Sequence, residues 1–527
     1  MQLQYSLNDT DRRCLESLRL TDPRHDKTRI EQTKGGLLSD SYRWILRNPQ
    51  FCAWRDDDET RLLWIKGDPG KGKTMLMCGI ISELEASSTA EQPVSYFFFQ
   101  AADSRINTST AFLRGLLYHL VDRYPRLITY ARAEYDRGGP HVFEDVNSWV
   151  VLMDVFANMM NDPVLETIYL VVDALDECME GLSQLIDMLC GSISTSSRMK
   201  WVVSSRNLPE IEDRLNEVTS RINQRLSLEL NASSVADAVH AYIRHKVDLL
   251  AKVKNYDERT KDAVERYLRT NAEGTFLWVA LVCQNLEKYR RWDTVPNMAT
   301  FPAGLGDLYE RMVQQIYLDD GDGICNQVLA TCTAAQQPLC LAELVVLAAI
   351  PSHISEHEES LEEVISLCGS FLVLRGHTVY FVHQSAKEYL LNHETSKLIF
   401  PDGLARFHRA IFSRSLTVMH RILHRDMYNL CSLGIGIDDI EVPDPDPLHG
   451  SRYLCVHWVD HLCNADLTGN AEPVRTELLK FFSKKFLYWL EALSLLRNVP
   501  QGVAAMSRLV HGFVGTTSSV SQLVPRP

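Results

Sequence analysis

A glycine-rich stretch between an apolar run and a helical run constrains this chain more than any other feature. Residues 67–74 read Gly-Asp-Pro-Gly-Lys-Gly-Lys-Thr and fit the G-x-x-x-x-G-K-[ST] pattern of a phosphate-binding loop. The apolar residues 62–65 predict a strand before the loop, and residues 73–86 predict a helix after it. A strand, a loop of this kind and a helix in succession predict an α/β domain built on a parallel sheet.

The residue types in the loop suit the binding of phosphate and Mg²⁺. Glycines allow the backbone to curl so that its N–H groups point at phosphate oxygens, and the helix that follows presents its positive end to the same place. Lys73 is predicted to reach the β- and γ-phosphates, and the Thr74 hydroxyl to bind Mg²⁺. We therefore predict a nucleotide-binding segment composed of Gly67, Asp68, Pro69, Gly70, Lys71, Gly72, Lys73, Thr74 and Met75.

Three acidic residues follow a second apolar run. Residues 168–172 predict a strand, Asp173 comes directly after it, and Asp176 and Glu177 follow. In phosphate-loop NTPases an acid at the carboxyl end of a buried strand organises the metal. We expect Asp173 to hold Mg²⁺ together with Thr74, and either Asp176 or Glu177 to orient the attacking water.

Further apolar runs complete the predicted sheet. Residues 94–99, 200–205 and 226–230 each predict a strand, and helical spacing separates them, so residues 61–230 predict a parallel sheet with helices on both faces. Arg206 follows the strand at 200–205. Because a guanidinium group matches phosphate geometry with two parallel hydrogen bonds, Arg206 is the predicted contact to the γ-phosphate.

Three of these segments together resemble the NACHT domain, a signal-transducing NTPase of the STAND class that is related to AAA+ ATPases. They are residues 67–74, 171–178 and 201–206. The small residue Ala174 after the metal acid, and the acidic pair that follows it, favour NACHT over other relatives. The segment at 20–46 looks like the corresponding part of fungal NACHT proteins, among them the vegetative-incompatibility proteins of the NOD-like receptor type.

The resemblance covers about residues 14–500 and implies a series of domains. The expected order is an α/β P-loop NTPase domain preceded by a helical adaptor and followed by a helical lid, a winged helix and an all-α domain. The adaptor is expected to pack on the NTPase domain, and a contact between the adaptor and the nucleotide base stays open. The predicted boundaries are 1–60 for the adaptor, 61–230 for the NTPase domain, 231–315 for the lid, 316–400 for the winged helix, 401–513 for the C-terminal helices and 514–527 for a disordered tail.

The resemblance also implies how such a chain works. It implies a signalling switch that binds ATP or GTP with Mg²⁺ and hydrolyses it slowly. The triphosphate favours an open, self-associating form and the diphosphate a closed one, in a setting such as self/non-self recognition. In relatives a histidine at the end of the winged helix touches the β-phosphate of bound diphosphate, and His383 matches that place. The alternative for His383 is a histidine whose hydrogen bonds are all within the fold.

Composition excludes several other classes of function. The net charge of -14 argues against nucleic acid as a main partner, even with a winged helix. The 13 cysteines form no C-x-x-C pair, which argues against zinc. The chain opens without a secretory signal and has no stretch of about 20 apolar residues, so we expect a cytoplasmic protein without a membrane span.

Two other classes of function remain open at this stage. An AAA+-like motor would hydrolyse nucleotide rapidly and use an arginine supplied across a ring interface. A non-catalytic adaptor or regulator would join larger NACHT proteins, since no effector domain is seen before residue 14 and no repeats after residue 513, as in a truncated chain. We expect nucleotide-dependent homo-oligomers or assembly with related NACHT proteins. The sequence does not decide between ATP and GTP.

Overall fold

The computed structural model describes residues 7–87, 92–195, 198–216, 223–321, 323–369, 371–392, 394–430, 434–466 and 471–514. The chain divides into two compact units, Met1–Leu308 and Tyr309–Pro527, and each is described by itself. No helix among the described residues is long and apolar enough to cross a membrane.

The first unit is built on a five-stranded sheet in the order β2-β3-β4-β1-β5. Every neighbouring pair of strands is parallel, so all carboxyl ends lie at one edge. β4 lies between β1 and β3, which places the ends of these three strands side by side. The strands are β1 (Leu62–Lys66), β2 (Val94–Phe98), β3 (Ile168–Asp173), β4 (Met199–Ser205) and β5 (Asn223–Ser227).

Helices cover the sheet, and strands β1, β2 and β3 are apolar along most of their length because they are largely buried, whereas the edge strand β5 is mainly polar. Residues 62–65 of β1, for example, have no exposed surface. The α/β P-loop fold predicted from the sequence is therefore confirmed. The helices of this unit are α1 (Asp9–Leu18), α2 (Pro23–Thr33), α3 (Ser39–Tyr42), α4 (Pro49–Asp56), α5 (Lys73–Ser87), α6 (Ser109–Arg123), α7 (Ile128–Gly138), α8 (Ser148–Met160), α9 (Leu182–Thr195), α10 (Pro209–Asn216), α11 (Ala232–Lys254), α12 (Glu258–Asn271), α13 (Phe276–Lys288) and α14 (Thr294–Met298). Helix α15 (Leu305–Asp319) begins in this unit and ends in the second.

The last strand differs from its prediction. The sequence placed it at 226–230, whereas β5 ends at Ser227. The Ser227 hydroxyl accepts the N–H of Leu230, and the Ser227 carbonyl accepts both the N–H and the side-chain amide of Asn231. These bonds turn the chain out of the sheet, because serine competes for backbone groups that a strand would use.

The second unit combines a small sheet with helices. Its strands β6 (Leu339–Cys340), β7 (Leu372–Arg375) and β8 (Thr378–Phe381) form an antiparallel sheet in the order β6-β8-β7. Strands β7 and β8 form a hairpin, with Gly376 at φ +57° in its turn, inside the segment 316–400 for which a winged helix was predicted. Strand β6 has only two residues and is too short to be recognised in the sequence. The helices are α16 (Ile324–Ala334), α17 (Leu341–Ala348), α18 (Ser352–Ser355), α19 (Glu358–Leu367), α20 (Gln384–Leu391), α21 (Ser396–Ile399), α22 (Leu404–Ile422), α23 (Arg452–Cys463), α24 (Ala471–Leu495) and α25 (Val499–Val514).

An apolar core with packed aromatic rings at its centre joins the last four helices of this unit. Trp458 and Trp489 lie 5.8 Å apart edge to face, both without exposed surface, and Phe481 packs on each of them. The Trp489 indole N–H donates to the Cys455 carbonyl at 2.7 Å, so its polar group is satisfied in the core. Apart from Val514, which ends α25, the predicted tail at 514–527 lies outside the described residues.

Candidate functional site

The glycine-rich loop connects β1 to α5, as the sequence predicted. Gly70 and Gly72 have φ values of +78° and +85°, a backbone conformation that favours glycine. A Cβ on Gly70 would lie 2.9 Å from the Thr275 side chain, and one on Gly72 would lie 2.8 Å from the Phe276 ring. Both conformation and space therefore require glycine, and the loop packs directly against the start of α13.

Lys73 begins α5 and turns back over its own loop. Its amine donates to the Gly67 carbonyl and, at 3.1 Å, to the Asp68 carbonyl. Burial lowers the pKa of Lys73, while the carboxylates of Asp176 and Asp173 act in the opposite direction. The amine thus lies near Asp173 and Asp176, the acids at the carboxyl end of β3, and its contact with phosphate stays a prediction.

Asp173 ends β3 and is 2% exposed. The Ser204 hydroxyl of β4 donates to its Oδ1 at 2.5 Å, and the Thr74 side chain also bonds it. Burial raises the pKa of Asp173, while these hydrogen bonds and the Lys73 charge work against the rise. Thr74 and Asp173 therefore meet, as predicted for a shared metal.

These residues fit Mg²⁺ in their donor chemistry. A hydroxyl and a carboxylate are hard oxygen donors, and a nearby cation would keep the buried Asp173 carboxylate ionised. Among the described residues no group of three or more His, Cys, Asp and Glu side chains could hold a metal. Mg²⁺ usually takes one or two protein ligands and completes its shell with water and substrate phosphates.

Asp176 and Arg206 form an ion pair that is reinforced by a backbone hydrogen bond. The Arg206 backbone N–H donates to Asp176 Oδ1 at 3.0 Å, and the Arg206 Nε lies 3.0 Å from Asp176 Oδ2. The two side chains are 5% and 16% exposed, respectively, so this ion pair is largely shielded from water. The structure brings both predicted residues to the edge of the sheet where the loop lies.

Glu177 lies beside this pair but has different partners. Its Oε2 accepts the N–H of Ala101, three residues after β2, at 3.0 Å. Burial raises the pKa of Glu177 to about 7, and the nearby Asp176 charge adds to the rise. A carboxyl group that titrates near neutrality is suited to general acid–base chemistry.

Ala174 connects Asp173 to the acidic residues Asp176 and Glu177 and adopts the left-handed backbone conformation. Ala174 has φ +56°, and its N–H donates to the Ser204 hydroxyl at 2.9 Å. Ser204 therefore bonds both Asp173 and the residue after it. Sequence reasoning missed Ser204, although two serines at the tip of an apolar strand were a visible signal.

The loop also contacts the segment between α12 and α13. The Lys71 amine donates to the Glu273 carbonyl at 2.8 Å and to the Thr275 hydroxyl at 3.4 Å. Glu273 and Gly274 both have positive φ values, +47° and +65°, so this turn is tightly bent. The sequence placed Lys71 at the nucleotide and gave no sign that its amine reaches the predicted lid.

The remaining predicted contacts lie elsewhere. Tyr42, in the predicted adaptor, packs on Gly79 of α5 and donates to Glu83 at 3.0 Å, so this segment packs on the NTPase core. His383 belongs to the second unit, where it caps α20: its Nδ1 accepts the Ser385 N–H at 3.1 Å and lies 2.8 Å from the Ser385 hydroxyl. Nucleotide contacts by His383 and by the adaptor stay predictions.

Comparison with known proteins places these features in context. The family model described as "Nephrocystin 3, N-terminal" matches residues 40–206. The chain is 48% identical over 516 residues to the vegetative incompatibility protein HET-E-1 of Podospora anserina, an alignment that covers 94% of this chain and 38% of that protein. The resemblance predicted from the sequence is thereby confirmed, and the chain spans well under half the length of this relative.

Solved structures give weaker similarities. PCH-2 of C. elegans aligns with 56% of this chain and 72% of its own, at 11% identity and a TM-score of 0.29. ORC1 of Aeropyrum pernix, solved in complex with DNA, aligns with 74% of this chain and 100% of its own, at 14% identity and a TM-score of 0.26. At such scores these likenesses carry no argument, and the fold rests on the sheet and loop described above.

Proposed function

We propose that this chain, a relative of fungal vegetative-incompatibility proteins, is a nucleotide-operated switch. It binds ATP or GTP with Mg²⁺ through the loop at 67–75 and hydrolyses it slowly. The proposal includes the cytoplasmic location expected from the sequence and a role in self/non-self recognition of the kind that the relative's name indicates.

One observation carries the proposal: the ends of three adjacent strands bring together the parts that phosphoryl transfer needs. β1 leads into the loop and Lys73, β3 ends in Asp173, and β4 leads into Arg206. Enzymes that transfer phosphoryl groups repeatedly use the same set of groups. The set comprises a lysine that binds the phosphates, a hydroxyl and a carboxylate that bind Mg²⁺, an acid that orients water, and an arginine that binds the γ-phosphate.

The structure favours Glu177 over Asp176 as the residue that orients water. Each carboxylate oxygen of Asp176 already contacts Arg206, Oδ1 through the backbone N–H and Oδ2 through Nε. Glu177 has one described hydrogen bond and a pKa raised to about 7, which suits a base at neutral pH. In this proposal Asp176 holds Arg206, and Arg206 exchanges that carboxylate for the γ-phosphate when triphosphate binds.

Contacts of the loop supply the coupling that a switch requires. Because Gly70, Lys71 and Gly72 contact the turn before α13 and the first residues of that helix, a phosphate that reshapes the loop also changes its contacts with the helical segment. A ligand shifts a conformational equilibrium only by its difference in affinity for the two forms. The γ-phosphate is the group that differs between the nucleotides, and Arg206 is positioned to sense it.

The test compares the protein with triphosphate and diphosphate. We expect a larger hydrodynamic radius, or an assembly, with Mg²⁺ and a non-hydrolysable triphosphate, and a compact monomer with the diphosphate, measured by size-exclusion chromatography with light scattering. Steady-state hydrolysis should be well below about one turnover per second, which is the lower end of ordinary enzyme rates. Identical size with both nucleotides would contradict the switch.

The same measurements separate the two alternatives. Many turnovers per second, combined with ring assembly, would identify a motor. A protein that binds neither nucleotide but still associates with a larger relative would identify a non-catalytic adaptor.

A further inference from the structure

Glu229 follows β5 and reaches across to the start of the phosphate loop. Its Oε1 accepts the backbone N–H of Asp68 at 2.7 Å, and its Oε2 accepts the Ser227 hydroxyl at 2.9 Å. Burial alone would raise the pKa of Glu229, but the hydrogen bonds from the Asp68 N–H and from Ser227 bring the pKa below its ordinary value. The carboxylate is therefore ionised and held in one orientation.

Hydrogen bonds fix the orientation of the first peptide of the phosphate loop, which joins Gly67 to Asp68. The Gly67 N–H donates to the Ser205 carbonyl at 3.3 Å, and the Gly67 and Asp68 carbonyls accept the Lys73 amine. With the Asp68 N–H bound to Glu229, all four backbone polar groups of residues 67 and 68 are engaged. Of these partners, Glu229 is the only side chain from outside the motif.

Packing at the same place supports the hydrogen bonds. A Cβ on Gly67 would lie 3.1 Å from the Leu228 side chain and 3.2 Å from Glu229 Oε1. The Leu228 N–H donates to the Lys66 carbonyl at 2.9 Å, which continues the pairing of β5 with β1 by one bond. The Asn207 side-chain amide also donates to Asp68 Oδ1 at 3.2 Å, so Asp68 is held from two directions.

We propose that Glu229 is a positioning residue for nucleotide binding, which fixes the first peptide of the phosphate loop by accepting the Asp68 N–H. A loop that is already ordered loses less entropy when it binds phosphate. This inference rests on the proposed nucleotide site and adds to it a residue that no motif contains. Glu229 acts through its acceptor oxygen, so its negative charge is dispensable.

The test measures binding of Mg²⁺ with ATP and with GTP to the full chain by calorimetry. Glu229→Ala removes the acceptor and should weaken binding of the preferred nucleotide by about fivefold to tenfold, the usual effect of losing one hydrogen bond. Glu229→Gln keeps an acceptor oxygen and should bind within about threefold of the wild-type protein. Glu210→Ala removes an exposed acid from α10 and controls for the change in net charge.

A second readout does not depend on nucleotide. Hydrogen exchange of the amides in residues 67–72 should be faster in nucleotide-free Glu229→Ala than in the wild-type protein, and unchanged in Glu229→Gln. Should Glu229→Ala fail to fold, Ser227→Ala removes the hydroxyl that orients Glu229 and should weaken binding about threefold.

The outcomes are distinct. Equal binding by the wild-type protein and Glu229→Ala would overturn the inference and leave the nucleotide site intact. Binding by Glu229→Gln as weak as by Glu229→Ala would show that charge matters rather than the hydrogen bond, and tighter binding by both would show a carboxylate that competes with phosphate. Absence of binding by the wild-type protein would overturn the proposed function and this inference with it.

Discussion

Asp176 and Arg206 bind each other through both the backbone and the side chain of the arginine, with each contact at 3.0 Å. The pair joins the segment after β3 to the end of β4, within electrostatic range of Lys73. The Arg206 guanidinium group is therefore held at the edge of the sheet where the phosphate loop also lies.

Replacing Arg206 should impair the discrimination between triphosphate and diphosphate nucleotides. We expect Arg206→Ala to weaken binding of the triphosphate by about 10-fold to 100-fold, because it removes charge-assisted hydrogen bonds to the γ-phosphate. Binding of the diphosphate should change by less than about threefold. Calorimetry with both nucleotides measures the ratio, and Arg452→Ala, in the second unit, is the control. Equal losses for both nucleotides would contradict a γ-phosphate contact.

The metal prediction concerns Asp173. Asp173→Asn keeps an oxygen that can accept the Ser204 hydroxyl but removes the charge that a cation needs. The wild-type protein should bind nucleotide at least about tenfold more tightly with Mg²⁺ than with EDTA, and the variant should show little difference. A variant that keeps the full Mg²⁺ effect would exclude Asp173 as a metal ligand.

The pH dependence of hydrolysis tests Glu177. Burial raises its pKa to about 7, so in nucleotide-free protein the carboxyl group is largely protonated at pH 6 and ionised at pH 8. A base must be ionised to accept a proton, so single-turnover hydrolysis should increase between pH 6 and pH 8. Glu177→Gln should abolish both the rate and its rise with pH while nucleotide binding persists. An unchanged rate in this variant would assign the water to another residue.

The contact of the loop with the helical segment gives a prediction about motion. Lys71→Met removes the hydrogen bonds to Glu273 and Thr275 but keeps the length of the side chain. Exchange of the amides at 273–277 should become faster in the nucleotide-free protein, because the bent turn loses its anchor. Lys66→Met, which removes the ion pair of Lys66 with Glu212 near the loop, provides the comparison. Unchanged exchange at 273–277 would show that Lys71 does not hold the turn.

A buried histidine pair makes the second unit sensitive to acid. His408 Nδ1 lies 2.8 Å from His461 Nδ1, and His461 Nε2 lies 2.7 Å from the Tyr453 hydroxyl. Burial, together with the charge of Lys387, lowers the pKa of His408 to about 4; burial and the neighbouring His408, His457 and Lys387 lower that of His461 to about 3.

The sign of the effect follows from these values. Below about pH 6.5 the unfolded chain binds protons at both histidines and the folded chain does not. The free energy of unfolding therefore decreases, and the fold becomes less stable, as the pH falls toward 4. The loss should be up to about 1.4 kcal/mol per pH unit for each histidine, measured by urea unfolding at pH 7.5 and 5. His461→Gln should reduce this slope, and exposed His353→Asn should not. A stability independent of pH in this range would contradict neutral, buried histidines.

Sequence reasoning succeeded where one local pattern decides the structure. The loop at 67–74, the strand before it and the acids after β3 each depend on residues close together in the chain, and the structure places them as expected. The predicted end of β5 was wrong, because Ser227 forms a turn that the pattern of apolar residues does not reveal. Polar side chains that compete for backbone groups are the physical source of that error.

Contacts between distant segments could not be predicted. Glu229 lies 161 residues from Asp68, and Glu273 lies 202 residues from Lys71, so no spacing rule connects them. The pairing of Asp176 with Arg206 similarly depends on β3 and β4 being neighbours, and strand order is set by packing of the whole sheet. The sequence therefore named both residues but left open which acid serves the water.

The central claim is that the loop at 67–74 binds nucleotide through Lys73. Calorimetric titration of Mg²⁺-ATP and Mg²⁺-GTP into the wild-type protein, Lys73→Ala and exposed Lys480→Ala tests it most directly. We predict binding of at least one nucleotide by the wild-type protein, equal binding by Lys480→Ala, and a loss of at least about tenfold in Lys73→Ala. Unchanged affinity in Lys73→Ala would contradict it.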